Sequence, residues 1–452
     1  MCRKIPSRAW LAMMLFWGTF VNYMFRSHYQ ISLLAMMAPR NNETVQDYGP
    51  RYDWSYEWEQ QSISALFYGL TIISIPAGLF VTFFGPFNVL VWSSVIMAVL
   101  SGCVVVMAYY VGPGGVFAMR FFVGVMVGLQ YPAMQNLVSN WAPPQEKGKF
   151  IACMMGNTFG SVITMPSASM VIEQLGWEWS FYLLSPVVVV FVIAMYLLVA
   201  DHPRNYRWIR QEELEFIEAS HGTSVNTQKK KKNPPYCKMF LSCPFYALIA
   251  GQFGNQYILF LALTIVPQYL KRVLGFNLKE SAGIAALPQL SRLISGFIFG
   301  ALNDFLIQRG VPKKYCRKGF TLFSHILTGA SLCLFLAIGS SSLAAICLLV
   351  MMMAFNGAAV VTVLMNAQDL APNWSGTLYG IMNFFGGWGG FVAPILVEKL
   401  TRENTIGQWA IVFTIGGAIG ITTGIIFILF GSTEIQSWNL IEETTEEGGT
   451  AK

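Results

Sequence analysis

The chain predicts an all-α membrane protein with twelve transmembrane helices in two pseudo-symmetric halves of six. Three observations carry that prediction. Apolar runs of about 20 residues, the length a bilayer demands, recur from one end of the chain to the other. Basic residues crowd the loops of one side. Two groups of motifs return at matching places in the two halves. Composition agrees: 54% of the 452 residues are hydrophobic and 12% are charged, with mean hydropathy +0.51. Soluble domains carry about twice that charge fraction. In hydrocarbon a segment must satisfy its own backbone polar groups, so such runs read as helices.

The first span covers residues 9–37. It follows Arg3, Lys4 and Arg8, as a signal peptide would, but it is too long for one, holds Arg26 and lacks a small-residue cleavage site, so it reads as a retained span. Five more spans lie near 59–84, 88–109, 114–139, 149–171 and 179–200, completing an N-terminal bundle over 1–200. A polar linker, 201–242, follows. Its phrase RWIRQEELEFIEAS predicts a short amphipathic helix, with Trp208, Ile209, Leu214 and Ile217 available to the membrane or the bundle. Lys229 to Lys232 read as a solvated run, with anionic lipid as the functional alternative. The second bundle, 243–432, places spans near 243–269, 280–303, 319–339, 342–366, 375–397 and 407–432, and an acidic tail of disordered composition occupies 433–452.

Loop charge sets the orientation. Arg3, Lys4, Arg8, Lys147, Lys149, Arg204, Arg207, Arg210, Lys229 to Lys232, Lys238, Arg309, Lys313, Lys314, Arg317 and Lys318 fall on one side, and far fewer on the other. The positive-inside rule then places both termini in the cytosol. The first outward loop, 38–58, carries Asn42-Glu43-Thr44, a glycosylation sequon at Asn42 on the side where glycans are added. None of the eight cysteines falls in an outward segment and no pair has metal-ligand spacing, so neither a structural disulfide nor a bound metal is expected.

The halves echo each other. Trp141-Ala142-Pro143 leads into the fifth span with Gly156 and Gly160, and Leu370-Ala371-Pro372 leads into the eleventh with Gly386, Gly387, Gly389 and Gly390. Glycines let helices approach closely and slide, which nominates Gly156, Gly160, Gly386 and Gly389 for conformational change. Gly78 to Gly85 and Gly300 to Asp304 form a second echo, each at the cytosolic end of the second span of its half. A duplicated six-helix unit is the architecture of rocking carriers, whose site lies between the halves near the midplane.

Three arginines sit where arginine is expensive: Arg26, Arg120 and Arg292, in the first, fourth and eighth spans. Each costs about 2.5–3.5 kcal/mol at a helix centre on insertion scales. No Asp or Glu lies within the spans; Glu57 and Glu59 at the outer mouth and Asp201 and Asp304 at cytosolic ends are the nearest acids. Fixed positive charge without carboxylates points to a path for anions, since the arginine fork holds carboxylate or sulfate bidentately. The structural alternatives are arginines bonded to backbone carbonyls or, for Arg120 about two turns from the outer mouth, snorkelling. Tyr131 and Asn255 offer hydroxyl and amide groups to the same site. His28 and His325 read as packed histidines.

These residues resemble the major facilitator superfamily, and within it the solute carrier 17 group of anion transporters: the sialin, vesicular glutamate and sodium/phosphate-type organic-anion carriers. The resemblance runs from about Arg8 to Trp438. It is most specific in FYGLTIISIPAG, in the stretch from Arg120 through Gln130-Tyr131-Pro132-Ala133 into WAPPQEKGK, in IRQEELEFIEAS and in DLAPNWSGTLYGIMN. It implies the fold of that superfamily and carries substrate-site roles onto Arg26, Arg120, Tyr68 of the second-span aromatic pair, and Asn366 with Asp369. Asp304 and Arg309 match the second copy of the superfamily's loop motif, a gating element. The departures are specific too. Val123 and Val127 stand where sialin-like carriers have glutamates, Ile63 where the glutamate carriers have histidine, Asn255 where they have arginine, Ala367 where the group has histidine, and Thr82 where the first loop motif has Asp. Arg292 has no counterpart in the group.

The expected function is therefore secondary transport of small organic anions, carboxylates or phosphate, by alternating access, with strict proton symport lost along with the fourth-span glutamates. Membrane potential supplies about 2.3 kcal/mol per charge per 100 mV, or a Na+ or H+ gradient drives the cycle. A non-transporting anion sensor or scaffold is the alternative. No nucleophile–base pair, metal cluster or phosphate-cradling loop points to an enzyme, and no cofactor or nucleic-acid partner is expected. The expected state is a monomer in the bilayer of the plasma membrane or of a lysosomal or vesicular membrane.

Overall fold

A computed structural model describes residues 6–37, 49–143, 150, 153–225, 235–337, 339 and 341–439. Asn42, the lysine run 229–232 and the tail beyond 439 lie outside them. Among the described residues, nine helices are long and apolar enough to cross a membrane, and a tenth span is made by the pair Tyr56–Ser74 and Ala77–Phe84, bent by 66°. The bend follows Pro76, which has no N–H to continue the helical ladder. Ser7–Met36 and Gly156–Leu175, 30 and 20 residues long, complete the twelve. Both are rich in polar residues, many of which face protein, including Asn22, Ser27 and Gln30 in the first and Thr158, Ser161, Thr164 and Ser169 in the second. From Val21 to Met36 every residue of the first span is buried.

That burial is made tolerable by hydrogen bonds between helices. Asn22 donates to the Gln130 side chain (2.8 Å), Gln130 donates to Ser94 Oγ (2.9 Å), Ser27 donates to Ser161 (3.0 Å) and Ser32 meets Ser180 (2.7 Å). Polar side chains are the glue of helices that share lipid with their surroundings. Gly112 and Gly176, with φ of +86° and +93°, reverse the chain at helix junctions where a side chain would be strained.

Two spans are irregular inside. The ninth, Lys313–Leu336, has a π-helical turn over Leu322–Leu327. Its extra residue turns His325 inward, where Nε2 meets the Gly251 carbonyl (2.9 Å) and Nδ1 meets Ser324 Oγ (2.8 Å). The tenth, Ser342–Leu370, tightens to a 3-10 turn over Gly357–Val361. A Cβ at Gly357 would lie 2.0 Å from Ser295 Oγ, so the eighth and tenth spans touch backbone to backbone there.

At the end of the bundle remote from Ser7 and Phe430 the two halves are locked together. Glu59 pairs with Arg272. Gln60 donates to Gln268 (2.8 Å), Tyr56 meets Thr401 (2.7 Å), Lys271 donates to the Leu34 carbonyl (2.6 Å) and Lys279 pairs with Glu173 (3.5 Å). Both ion pairs that join the halves among the described residues lie at this end. The starts of the second, eighth and twelfth spans are here too, each capped by its own side chain: Ser55, the Asn277–Glu280 box and the Thr405–Gln408 box.

The linker helix, Gln211–Val225, docks on the N-terminal half. Glu213 accepts from the backbone N–H groups of Ser7 (2.9 Å) and Arg8 (3.1 Å), capping the first span, and Ile217 is buried. Asp201 does the same for the third span, accepting from Phe87 N (2.7 Å).

Candidate functional site

Arg26 and Arg120 come together between the first and fourth spans. Arg120 is 2% exposed, so it does not snorkel. Its Nη1 donates to the Phe25 carbonyl (3.2 Å), its guanidinium lies 3.8 Å over the Tyr29 ring, and Nε has no hydrogen-bond partner among the described residues. Arg26 stacks on Tyr23 (4.7 Å) and on Phe260 of the other half (5.7 Å), and its Nε is likewise unpartnered. The two guanidiniums are close enough to repel each other. Neither makes an ion pair with a described carboxylate. Two buried like charges without a counter-charge are costly, and an anion relieves that cost with hydrogen bonds to the open nitrogens.

Arg292 approaches from the C-terminal half. Nε donates to Asn356 Oδ1 (2.9 Å) and Nη1 to Thr158 Oγ1 of the fifth span (3.1 Å). Asn356 in turn donates to Asn255 Oδ1 and to the Ser324 carbonyl, each 3.3 Å. Asn255 therefore supports Arg292 through an amide relay. Arg292 lies within electrostatic reach of Tyr23 and Tyr131, and Arg26 within reach of Tyr131 and Tyr379. Tyr131 accepts a hydrogen bond from Asn157 (3.3 Å). Arg26 and Arg292, from opposite halves, thus both lie within electrostatic reach of Tyr131, and Arg120 within reach of Arg26.

Tyr23, Tyr29 and Tyr379 belong to this group and sequence reasoning missed them. The signal was present for two: Tyr23 and Tyr29 lie three residues either side of Arg26, on adjoining turns of one helix. Tyr379 lies inside the motif SGTLYGIMN, but nothing in one dimension aims it at Arg26.

Other expected residues lie elsewhere. Tyr68 points away from the arginines: its ring packs on Phe391 (4.9 Å) and Phe117 (6.4 Å), and it is Phe67 that turns inward against Phe260 (4.6 Å). Asn366 donates to the Ser432 carbonyl (2.8 Å), tying the tenth span to the chain after the twelfth. Asp304 is exposed and accepts from Asn303 (3.2 Å), while Arg309 rests on the Phe305 ring (4.5 Å), so the two do not pair. The ion pair of this region is Arg317–Asp369 (2.8 Å), with Lys313 3.8 Å from the same carboxylate. His28 packs on Phe181 (4.9 Å) with Nδ1 near the Met24 carbonyl (3.2 Å).

The glycines divide by interface. A Cβ at Gly156 or Gly160 would meet the Phe16 or Phe20 carbonyl at 2.0 or 2.7 Å, and one at Gly386 or Gly389 would meet Gln256 or Tyr257 at 2.9 or 2.7 Å. All four pack within their own half. Their neighbours Gly387 and Gly390 face the second span across the interface, where a Cβ would meet Thr71 Oγ1 at 2.4 Å and the Phe67 ring at 2.0 Å.

Comparison with known proteins places this arrangement. The chain is 29% identical to the sialin of Ovis aries, over 95% of this chain and 90% of that protein. It is 28% identical to vesicular glutamate transporter 2 of Homo sapiens, over 99% of this chain and 78% of that protein. Among solved structures it matches a D-xylose–proton symporter with a TM-score of 0.67 at 15% identity, over 95% of this chain and 99% of that one. A bacterial homologue of the human lysosomal transporter Spinster gives 0.61 at 13% identity, over 94% and 96%. The latter two likenesses speak for the fold. The family profile described as Major Facilitator Superfamily matches residues 15–394. With its twelve helices in two halves and its charged centre between them, the chain belongs to the Major Facilitator Superfamily of membrane transporters.

Proposed function

We propose that the protein is a secondary carrier of small organic anions working by alternating access. The observation that carries this reading is the pair Arg26 and Arg120: both buried, both with an unpartnered Nε, and neither in an ion pair with a described carboxylate. Arg292 extends the same positive surface from the other half, which lets one bound anion report to both halves as they rock. The likeness to sialin and to the vesicular glutamate transporters supports a carboxylate substrate.

In this reading the conformer described above is closed at the Glu59–Arg272 end and takes substrate from the terminus-bearing side. With both termini cytosolic, as loop charge indicates, it faces the cytosol. Membrane potential then drives the anion out of a negative cytosol or into a positive lumen, in a plasma, lysosomal or vesicular membrane, with Na+ or H+ as the cation of any coupled mode.

The test is flux of labelled carboxylates and phosphate in proteoliposomes under an imposed potential, with and without pH and sodium gradients. Potential-driven flux that depends on Arg120 is the expected result. Intact anion binding with no flux of any anion replaces the carrier reading with that of a sensor. Concentrative uptake driven by a pH gradient at zero potential overturns the loss of proton symport.

A further inference from the structure

A chain of neutral side chains leads away from Arg26 into the C-terminal half, and its far end is unsatisfied. Tyr379 of the eleventh span lies within electrostatic reach of Arg26 and Tyr23, and its hydroxyl bonds the side chain of Asn383, one turn further on. Asn383 Oδ1 accepts from Gln252 Nε2 of the seventh span (3.4 Å). Gln252 is fully buried, and its Oε1 has no hydrogen-bond partner among the described residues. The middle member sets the sense of the chain. With Oδ1 taken by Gln252, Asn383 has its amide N–H groups for the Tyr379 oxygen. That leaves the Tyr379 O–H free to donate to an anion held by Arg26, and Gln252 Oε1 free to accept at the other end.

Gly386 gives this end its room: a Cβ there would lie 3.5 Å from Gln252 Cγ. The next residue, Gly387, faces Thr71 of the N-terminal half, whose Oγ1 is also buried and unpartnered among the described residues. Hydroxyls inside these helices commonly bond the carbonyl four residues back, as those of Ser64, Ser74 and Thr423 do (3.0, 2.7 and 2.8 Å); that of Thr71 does not. A buried polar atom left open is costly, and a ligand group that bonds it recovers the cost. The open acceptor could take a hydroxyl or an ammonium, and charge decides between them. No described Asp or Glu bonds Gln252, Asn383, Arg26 or Arg120; Glu59 reaches Tyr29 but is held by Arg272. An ammonium here would be a buried charge without a carboxylate, in a site that already carries two cations. A hydroxyl satisfies the same acceptor and adds no charge.

We propose that the carried anion bears a hydroxyl and no ammonium, and that Gln252, positioned by Asn383, is the subsite that reads this hydroxyl. The proposal rests on the anion-carrier reading and narrows its substrate class. Tyr379 and Asn383 are a helical turn apart, about 5.4 Å, and Gln252 lies beyond Asn383. The hydroxyl therefore stands several carbons from the carboxylate. A site built to hydrogen-bond a substrate hydroxyl rejects the analogue that lacks it, because its own polar group is then left unpaired.

The test measures thermal stabilisation of the purified full-length protein by matched acids. Straight-chain carboxylates of about four to six carbons are compared, each skeleton ending in a hydroxyl, an ammonium or a methyl group, with Arg120→Ala as the blank for binding outside the site. On at least one skeleton we expect the hydroxy acid to bind about ten-fold or more tightly than its methyl and ammonium counterparts. Gln252→Leu should bring the hydroxyl and methyl members within about two-fold of each other. Gln252→Glu supplies the absent carboxylate and should raise binding of the ammonium member relative to the hydroxyl member by about ten-fold, a gain that damage to the fold does not produce. Equal binding of the hydroxyl and methyl members, a preference for the ammonium member in the unaltered protein, or unchanged ratios in the two variants overturns the proposal. The acids then still bind through Arg120, and the anion-carrier reading stands. If no acid stabilises the protein above the Arg120→Ala blank, the proposal also falls, and proteoliposome flux judges the carrier reading separately. Should a variant fail to fold, the ranking in the unaltered protein decides.

Discussion

The guanidinium of Arg120 lies 3.8 Å over the ring of Tyr29, and its Nη1 donates to the Phe25 carbonyl one turn earlier on the same helix. The first span thus holds the fourth-span arginine by a face and an edge, leaving Nε open. A cation fixed this way loses little further entropy when it takes a carboxylate.

Arg120→Ala is expected to abolish anion transport while the protein still reaches the membrane. Arg120→Lys keeps the charge and loses the fork, so affinity falls at least ten-fold. Tyr29→Leu removes the stacking, worth about 0.5–2 kcal/mol, and weakens apparent affinity by a few-fold to about thirty-fold. Concentration dependence of uptake separates the three; undiminished transport by Arg120→Ala removes Arg120 from the site.

Arg292 makes a sharper test of structure against function. Arg292→Met fills a similar volume with an apolar chain and removes a buried charge, but it leaves Asn356 Oδ1 and Thr158 Oγ1 without their donor. The expected outcome is transport down ten-fold or more in a protein that still folds and reaches the membrane. Asn356→Ala acts differently: it leaves Arg292 Nε and Asn255 without their shared partner, a loss of about 1.5–3 kcal/mol for a hydrogen bond to a charged group. Thermal unfolding in detergent should show that loss. Normal transport by Arg292→Met would make the arginine purely structural.

Arg317 is the chief support of the other end. It bonds Asp369 (2.8 Å), Asn303 (3.1 Å) and the Val361 carbonyl (2.9 Å), linking the eighth, ninth and tenth spans. Removing one partner of a buried ion pair costs about 3–5 kcal/mol. Asp369→Ala should lower the melting temperature clearly, whereas Asp304→Ala, an exposed residue bonded to its chain neighbour, should barely change it. Equal effects of the two would show that the loop acid, not the Arg317 pair, holds this region.

Gly390 is expected to be a moving contact. Gly390→Ala puts a methyl into the Phe67 ring across the interface, which should arrest transport without unfolding either half. Phe67→Ala in the same chain makes room and should restore a measurable fraction of flux. Gly160→Ala, which packs inside the N-terminal half, should instead lower stability, and Phe67→Ala should not rescue it.

The sequence by itself determined the all-helical membrane fold, and it singled out Arg26 and Arg120, which the fold buries. Membrane helices satisfy their backbone locally, so length and hydropathy are one-dimensional quantities, and a charge inside such a run is conspicuous. The roles it carried onto Tyr68 and Asn366 rested on resemblance, and those side chains bond and stack with groups other than the arginines; Asp304 and Arg309, expected to act in gating, do not pair with each other. Tyr68 differs from Phe67 by one residue, about 100° around the helix, and only packing says which of the two faces inward. The same holds for Gly387 and Gly390 against Gly386 and Gly389, two faces of one glycine-rich stretch. The burial of Glu59 was illegible for a deeper reason. A glutamate in the first turn of a helix reads as solvated, and it becomes a buried partner of Arg272 only when a segment more than two hundred residues away closes over it. Tertiary structure decided helix rotation and the pairing of the halves, because both are set by contacts between side chains that no local pattern records.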